Sequence, residues 1–480
     1  MASELTRIFF LNVNEKIKTF FLLLVIIFLF LIPQLLFIEH ESTVNDETLY
    51  VWYVKEIRSD PVTLFSREIW QFHPPFFSAI ASTLFWADPL VSVRLVSIIL
   101  AVIAILLTFY LGSRLFSPFV GLFSAGLLAS NVLFISTAHH GLLDSTMMVT
   151  ALAIGVGMFH LPKKEGWGLI IIGTLLALLS KRSGFLIFGL AGVLLFIYYF
   201  FENKKKITQK MIMGGVLFGA ILGVWLFFLR LFDHDIVTFY DYSKGFGTIA
   251  IQSIRIISKS IPLYYFPFFL LGLFYMRNEK MKLISIIVWI GVFVGLIFFP
   301  AFDPRYWLPV YPVIFWIMAV GVEKVSVLNP LLRKGLPLFC LGLILPGLVY
   351  GIYIVSHSYG GIGYSDTGKW IGENASTAVV YDGLKREIRY YSGIELDEWG
   401  GGIRYYPPTP EEFVAQIRSE KRPIFAIVGV TYNFFGPFYQ TDAFLLQQGF
   451  EKVHSVYRIL DGKETEVIRV YQYGNQNRKS

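Results

Sequence analysis

Charge is scarce in this chain. Only 16% of its 480 residues are Asp, Glu, Lys or Arg, while 55% are hydrophobic and mean hydropathy is +0.60, a balance that excludes a soluble globular protein. Cysteine is scarcer still: Cys340 stands alone in an apolar run, which excludes an intrachain disulfide and any metal site of the Cys-cluster type. No internal repeat and no low-complexity segment occurs. Acidic and basic residues are also missing from the interiors of the apolar runs after residue 211. Ion-coupled transporters and pumps carry ionisable groups at mid-membrane depth, so this absence weighs against that class. What is present in quantity is aromatic, with 46 Phe and 26 Tyr suited to contact with lipid or an apolar ligand. The net charge of +7 follows from basic cytoplasmic loops in a membrane protein, which disfavours nucleic acid as a partner.

The sequence therefore reads as an α-helical polytopic membrane protein. Its first apolar run, residues 20–38, has no small-residue cleavage site before the acidic segment at Glu39 and reads as a retained span rather than a signal peptide. Further runs near 91–111, 118–136, 145–161, 167–180, 184–201, 211–229, 261–276, 283–300, 306–322 and 335–355 give an expectation of about eleven spans. With the N-terminus cytoplasmic, the inside loops hold Arg114, then Lys163 and Lys164, then Lys204 to Lys206 and Lys210, then Arg277, Lys280 and Lys282, then Lys324, Arg333 and Lys334. Each is basic, as the positive-inside rule expects. The first outer loop is the reverse, with eight acids between Glu39 and Pro89 against Lys55, Arg58 and Arg67. Pro74 to Trp86 would break this alternation as a crossing, and reads as a helix lying at the outer interface.

From Ser356 the composition turns mixed. Residues 1–355 then form a transmembrane domain, and residues 356–480 a small external α/β domain. Its strands are expected at Thr377–Tyr381, Pro423–Val430 and Glu466–Tyr473, and its helices at Asp366–Glu373, Leu384–Tyr391 and Pro410–Arg418.

Once topology has claimed its basic residues, a few charges remain at the outer ends of the spans: Asp46 and Glu47, Asp144, Lys181 and Arg182, and Asp303 with Arg305. Asp46 and Glu47 open a helix, where they cap it and complement its dipole, or where an Asp in a partly apolar cleft deprotonates an attacking hydroxyl. His73, in Trp70-Gln71-Phe72-His73-Pro74-Pro75, suits a hydrogen-bonded positioning role better than metal ligation. Adjacent His139 and His140 would face apart on a helix and bring no third ligand, so no metal or other cofactor is expected to be required, although an acid cluster holding a divalent ion is left open. Asp144 stands where the fourth span begins, as its N-cap or as a site carboxylate. Lys181 and Arg182 fall outside, against the topological bias, which calls for a negative partner such as a lipid head group or a substrate phosphate. Arg305-Tyr306-Trp307-Leu308-Pro309 is either an interfacial anchor or a second part of that site.

Asp46, Glu47 and Tyr50 after the first span, His73-Pro74-Pro75, Arg94-Leu95 opening the second, Asp144, Lys181, and Arg305-Tyr306 with Leu308-Pro309 follow one another in an order that resembles the GT-C class of membrane glycosyltransferases. The resemblance is to the branch of protein O-mannosyltransferases and the lipid A aminoarabinose transferase, over most of residues 20–325. It implies a polyprenyl- or dolichyl-phosphate-linked sugar donor, used at the outer face of the plasma membrane with inversion, and a protein, lipid or glycan hydroxyl as acceptor. It further implies Asp46 as general base, Glu47 and Asp144 as groups that position the acceptor or tune that base, and no metal for chemistry. Lys181, Arg182, Arg305 and Tyr306 would hold the phosphate, with Tyr50 and His73 also binding substrate; Arg182 rests on topology alone. A transporter or lipid flippase is the alternative, since it too needs an apolar groove and outer charges.

Overall fold

A computed structural model describes residues 2–39, 46–70, 73–202 apart from 182, 261–294, 304–357 apart from 329, 363–381 apart from 376, 409–429, 441–460 and 463–473, with a few isolated positions. Two compact units divide the chain: residues 1–38 with 53–356, and residues 39–52 with 357–480.

The first unit is helical. It opens with α1 (Ala2–Leu36), and α2 (Asp46–Ser59) straddles the division between the units. Two short helices follow, α3 (Arg67–Trp70) and α4 (Phe76–Ser82). Side-chain caps then define three starts in succession: Asp88 accepts from Leu90 N before α5 (Pro89–Leu115), Ser117 from Val120 N before α6 (Pro118–Ala129), and Asn131 from Phe134 N before α7 (Val132–His139). After these come α8 (Asp144–Phe159), α9 (Lys164–Ser180), α10 (Gly184–Glu202), α11 (Phe266–Met276), α12 (Lys280–Val294), α13 (Tyr311–Leu328) and α14 (Pro330–Ser356).

Among the described residues, Ile17–Leu36, Pro89–Leu115, Gly184–Glu202, Arg305–Leu328 and Lys334–Ser356 are long and apolar enough to cross a membrane. The run expected as one span over 118–136 is instead two helices bent by 60° at Ser130 and Asn131. The Asn131 side-chain oxygen accepts from Phe134 N at 3.0 Å, starting a new helix rather than continuing the old one. The expected span 211–229 lies outside the described residues except at isolated positions. The interfacial helix expected over Pro74–Trp86 forms only at Phe76–Ser82, and its Phe77, Ser78, Ala81 and Ser82 are buried in protein. Arg58 is the reason it stops there: its guanidinium donates to Leu84 O at 2.7 Å, Ala87 O at 2.8 Å and Ser82 O at 3.2 Å, taking the carbonyls a longer helix would use.

Glycine sets the closest approach in the bundle. A Cβ on Gly321 of α13 would stand 2.1 Å from Phe268 O, and one on Gly272 of α11 1.9 Å from Ile317 O, so the two backbones touch. Gly321→Leu is expected to push α11 and α13 apart at a cost of about 1–3 kcal/mol, read as a lower melting temperature in detergent, whereas Gly342→Leu, at a position with open space around it, serves as the control.

In the second unit a five-stranded sheet has the order β2-β1-β3-β5-β4, with β1 (Val379–Tyr381), β2 (Ile403–Arg404), β3 (Ile424–Gly429), β4 (Phe450–Leu460) and β5 (Lys463–Tyr473). β1 runs parallel to β2 and β3, while β5 is antiparallel to both β3 and β4. Alternate residues serve opposite faces. Val380, Phe425 and Ile427 join Tyr364 and Ile371 of α15 (Tyr364–Asn374); Val379, Tyr381, Ala426 and Val428 join Phe413 and Ile417 of α16 (Pro410–Ser419) and Leu445 of α17 (Asp442–Gln447). The helices and strands expected at Asp366–Glu373, Pro410–Arg418, Thr377–Tyr381, Pro423–Val430 and Glu466–Tyr473 all form within a few residues of those bounds, while Leu384–Tyr391 falls mainly outside the described residues.

Glu466 on β5 carries a pH dependence. Burial opposes its charge, but hydrogen bonds from Ser455 at 2.5 Å, Arg469 at 2.7 Å and Lys452 at 3.2 Å outweigh it and hold the carboxyl at about 2. A carboxylate lowered in the folded state adds stability above its unfolded pKa, and that stability is lost as pH falls from the usual 4.5 toward about 2. Hydrogen-exchange protection of the β4–β5 pair, corrected for intrinsic rate, is therefore expected to fall over this window and to flatten in Glu466→Gln.

Candidate functional site

Asp144 is the first residue of α8, and Leu143 rather than Asp144 occupies the cap position. Its side chain is spent elsewhere. Oδ1 lies 2.7 Å from Lys181 Nζ, and Oδ2 lies 4.0 Å from Arg305 Nη1, with only 3% of the Asp144 side chain exposed and 6% of Lys181. Lys181 ends α9 in extended backbone and turns at once, its carbonyl accepting from Gly184 N at 2.8 Å. Gly184 makes this turn possible, because a Cβ there would stand 2.1 Å from Ala177 O. Arg305 and Tyr306 come from a 3-10 helix, Pro304–Val310, anchored by buried Trp307 and Leu308 and by Trp289 Nε1 donating to Pro309 O at 3.0 Å. Lys181 Nζ sits 4.3 Å from the centre of the Tyr306 ring. Four residues singled out in the sequence, from three separate segments, thus meet in one cluster.

Two cations share one carboxylate, leaving the Asp144, Lys181 and Arg305 group with a net single positive charge. Burial works against the charge on Lys181 in its turn, but Asp144 and then Tyr306 outweigh it and hold its pKa above the ordinary lysine value. Asp144 therefore keeps Lys181 protonated and aimed, with Arg305 a second cation 4.0 Å from the same carboxylate.

Two nearby residues escaped the sequence reading as site groups. Arg94 is fully buried near the start of α5, donating from Nη1 to Ile38 O at 2.6 Å. Its signal was a basic residue inside an expected span, 91–111. His140, in the turn after α7, is held near about 3 by burial first, then by the charges of Arg94 and Arg305, and so is neutral at physiological pH. The sequence had weighed it only as a metal ligand. Among the described residues no group of three His, Cys, Asp or Glu side chains could hold a metal ion.

The remaining candidates belong to other segments. His73 is partly buried in the bend before α4, beside buried Pro74 and Pro75. Asp46, Glu47 and Tyr50 occupy the first turns of α2, in the segment belonging to the second unit; Glu47 and Tyr50 are buried and Asp46 is partly exposed. Arg182 and Asp303 fall outside the described residues.

Residues 72–229 match the family model of dolichyl-phosphate-mannose-protein mannosyltransferases. Among solved structures, the chain is similar to ArnT from Cupriavidus metallidurans bound to undecaprenyl phosphate, at 13% identity and a TM-score of 0.58, covering 94% of this chain and 98% of that one. The apo form of the same protein gives 14% identity and a TM-score of 0.57, covering 94% and 97%. The archaeal oligosaccharyltransferase AglB from Archaeoglobus fulgidus, in complex with an inhibitory peptide and a dolichol-phosphate, gives 12% identity and a TM-score of 0.55, covering 94% of this chain and 74% of that one. No curated protein matches the chain in sequence. The class read from the residues agrees with these matches: residues 72–229 carry the signature of the mannosyltransferase family model, and the fold is similar to that of the membrane glycosyltransferases ArnT and AglB.

Proposed function

We propose that the protein moves a sugar from a polyprenyl- or dolichyl-phosphate donor to a hydroxyl of a protein, lipid or glycan acceptor, at the outer face of the plasma membrane and with inversion. The acceptor oxygen attacks the anomeric carbon and gives its proton to Asp46. The bond from that carbon to the phosphate oxygen breaks, its electron pair leaving with the lipid phosphate. Lys181 and Arg305, with Tyr306 and Arg182, meet the charge that collects there, and Glu47 and Asp144 position the acceptor or tune the base. Tyr50 and His73 contribute substrate contacts.

One observation carries this reading: a buried Lys and a half-buried Arg from separate segments come together at Asp144 beside the Tyr306 ring, gathering two cations on an apolar helical bundle. A lipid phosphate needs both parts, charge for its head and apolar surface for its chain. Lipid-phosphate binding by proteins of similar fold supports it, since ArnT is solved with undecaprenyl phosphate and AglB with a dolichol-phosphate. The test is chemical turnover in detergent, with no gradient present. Purified protein given a polyprenyl-phosphate sugar and a hydroxyl acceptor should release polyprenyl phosphate and a glycosylated product of inverted configuration; binding without release would favour a transporter or flippase.

A further inference from the structure

α2 belongs to both units. Its residues up to Trp52 go with residues 357–480 and those from Tyr53 on with the first unit, although the whole of the first unit lies between Trp52 and His357 in the chain. Nothing in the helix marks a joint at that point. Asp46–Ser59 contains neither Gly nor Pro, the residues that bend or break helices, so its 14 residues form a single rod. At the far end Arg58 donates to Ser82 O at 3.2 Å, Leu84 O at 2.7 Å, Ala87 O at 2.8 Å and Ser92 Oγ at 2.7 Å, all in the first unit. At the near end Glu47, Thr48, Leu49, Tyr50 and Val51 are all buried. Five successive helical residues pass round the whole circumference, so these turns are enclosed on every side, whereas a surface helix buries one stripe.

We infer that the first two turns of α2 fold and open with the C-terminal sheet domain rather than with the helical bundle, so that this domain sets where Asp46 stands. The C-terminal domain is then a working part of the transferase. Arg58 fixes the opposite end of the same rod, which leaves the domain as the element that decides whether the first turn is in place. The consequence for sugar transfer rests on the proposed role of Asp46; the shared opening does not.

Hydrogen exchange of the full-length protein in detergent tests it. The first helix-bonded amides of α2 are those of Tyr50, Val51 and Trp52, while Ile57, Arg58 and Ser59 report the other end. Ile427 is fully buried in the core that β3 and β5 share with α15. Ile427→Ala should speed exchange at residues 50–52 and along β3 and β5 by one common factor of about 10²–10³, with residues 57–59 unchanged. Ile427→Val should give the same pattern at about 2–10-fold, and serves where the alanine variant does not fold. Gly321→Leu in the bundle should leave residues 50–52 as they are. Unchanged exchange there in the Ile427 variants, or acceleration there in Gly321→Leu, overturns the inference. A urea titration separates it from the reaction. Transfer should be lost at the midpoint at which residues 50–52 lose protection, and that midpoint should fall in Ile427→Ala, while polyprenyl phosphate without sugar still binds. Loss of that binding at the same midpoint means that the bundle opens with the domain and overturns the inference. If transfer outlasts the protection, the shared opening stands and the role of Asp46 as base falls.

Discussion

Asp46→Asn is expected to lower sugar transfer by about 10²–10⁴-fold while leaving donor binding near its native strength, as loss of a general base does. The substitution keeps shape and hydrogen-bonding capacity but removes the group that accepts a proton. Asp46 also opens α2, where its charge favours the helix N-terminus, a contribution of about 0.3–1 kcal/mol that Asn loses. The two roles separate cleanly. A helix-end effect would appear as a small loss of stability with transfer nearly intact, and that result would sink the base assignment. Glu47→Gln is the informative companion because Glu47 is fully buried and Asp46 is not. Loss of transfer in Glu47→Gln with normal transfer in Asp46→Asn would exchange the two roles.

The members of the candidate cluster were legible because charge is rare here. In a soluble protein Lys181 and Arg305 would be lost among dozens of surface cations; in this chain topology claims most of the basic residues and leaves few over. Pairing was not legible. Asp144 sits at a helix start, where sequence rules favour a cap, and only the meeting of α8 with the turn after α9 turns it toward Lys181. Arg58 was hidden for a similar reason: it counted as one cation among eight acids, yet its value lies in carbonyls 24 to 29 residues away. In the C-terminal sheet, β3 was visible as an apolar run because both its faces are covered, whereas β4, with Glu451, Lys452 and Arg458 along it, gave no such run. The break at Asn131 escaped because a lone polar residue in an apolar run does not disclose whether it caps a new helix or packs within an old one.

Lys181→Ala is expected to weaken donor binding about 10–100-fold with little effect on acceptor binding, the scale of a lost charge-assisted hydrogen bond. Removing one member of a buried ion pair also destabilises the protein, by about 3–5 kcal/mol where the other charge is stranded, so weaker binding alone would not identify a phosphate contact. Asp144 has a second cation in Arg305 at 4.0 Å, which softens that penalty for Lys181→Ala. The reverse change, Asp144→Asn, leaves Lys181 and Arg305 facing each other with no carboxylate between them and should destabilise more. The double variant Asp144→Asn/Lys181→Met decides the matter. If the pair serves only the fold, removing both charges restores the melting temperature and donor affinity together. If Lys181 receives the donor phosphate, stability returns while donor affinity stays low, and a polyprenyl phosphate without sugar shows the same deficit. Recovery of both would confine the pair to structure and leave Arg305 and Tyr306 as the phosphate's partners.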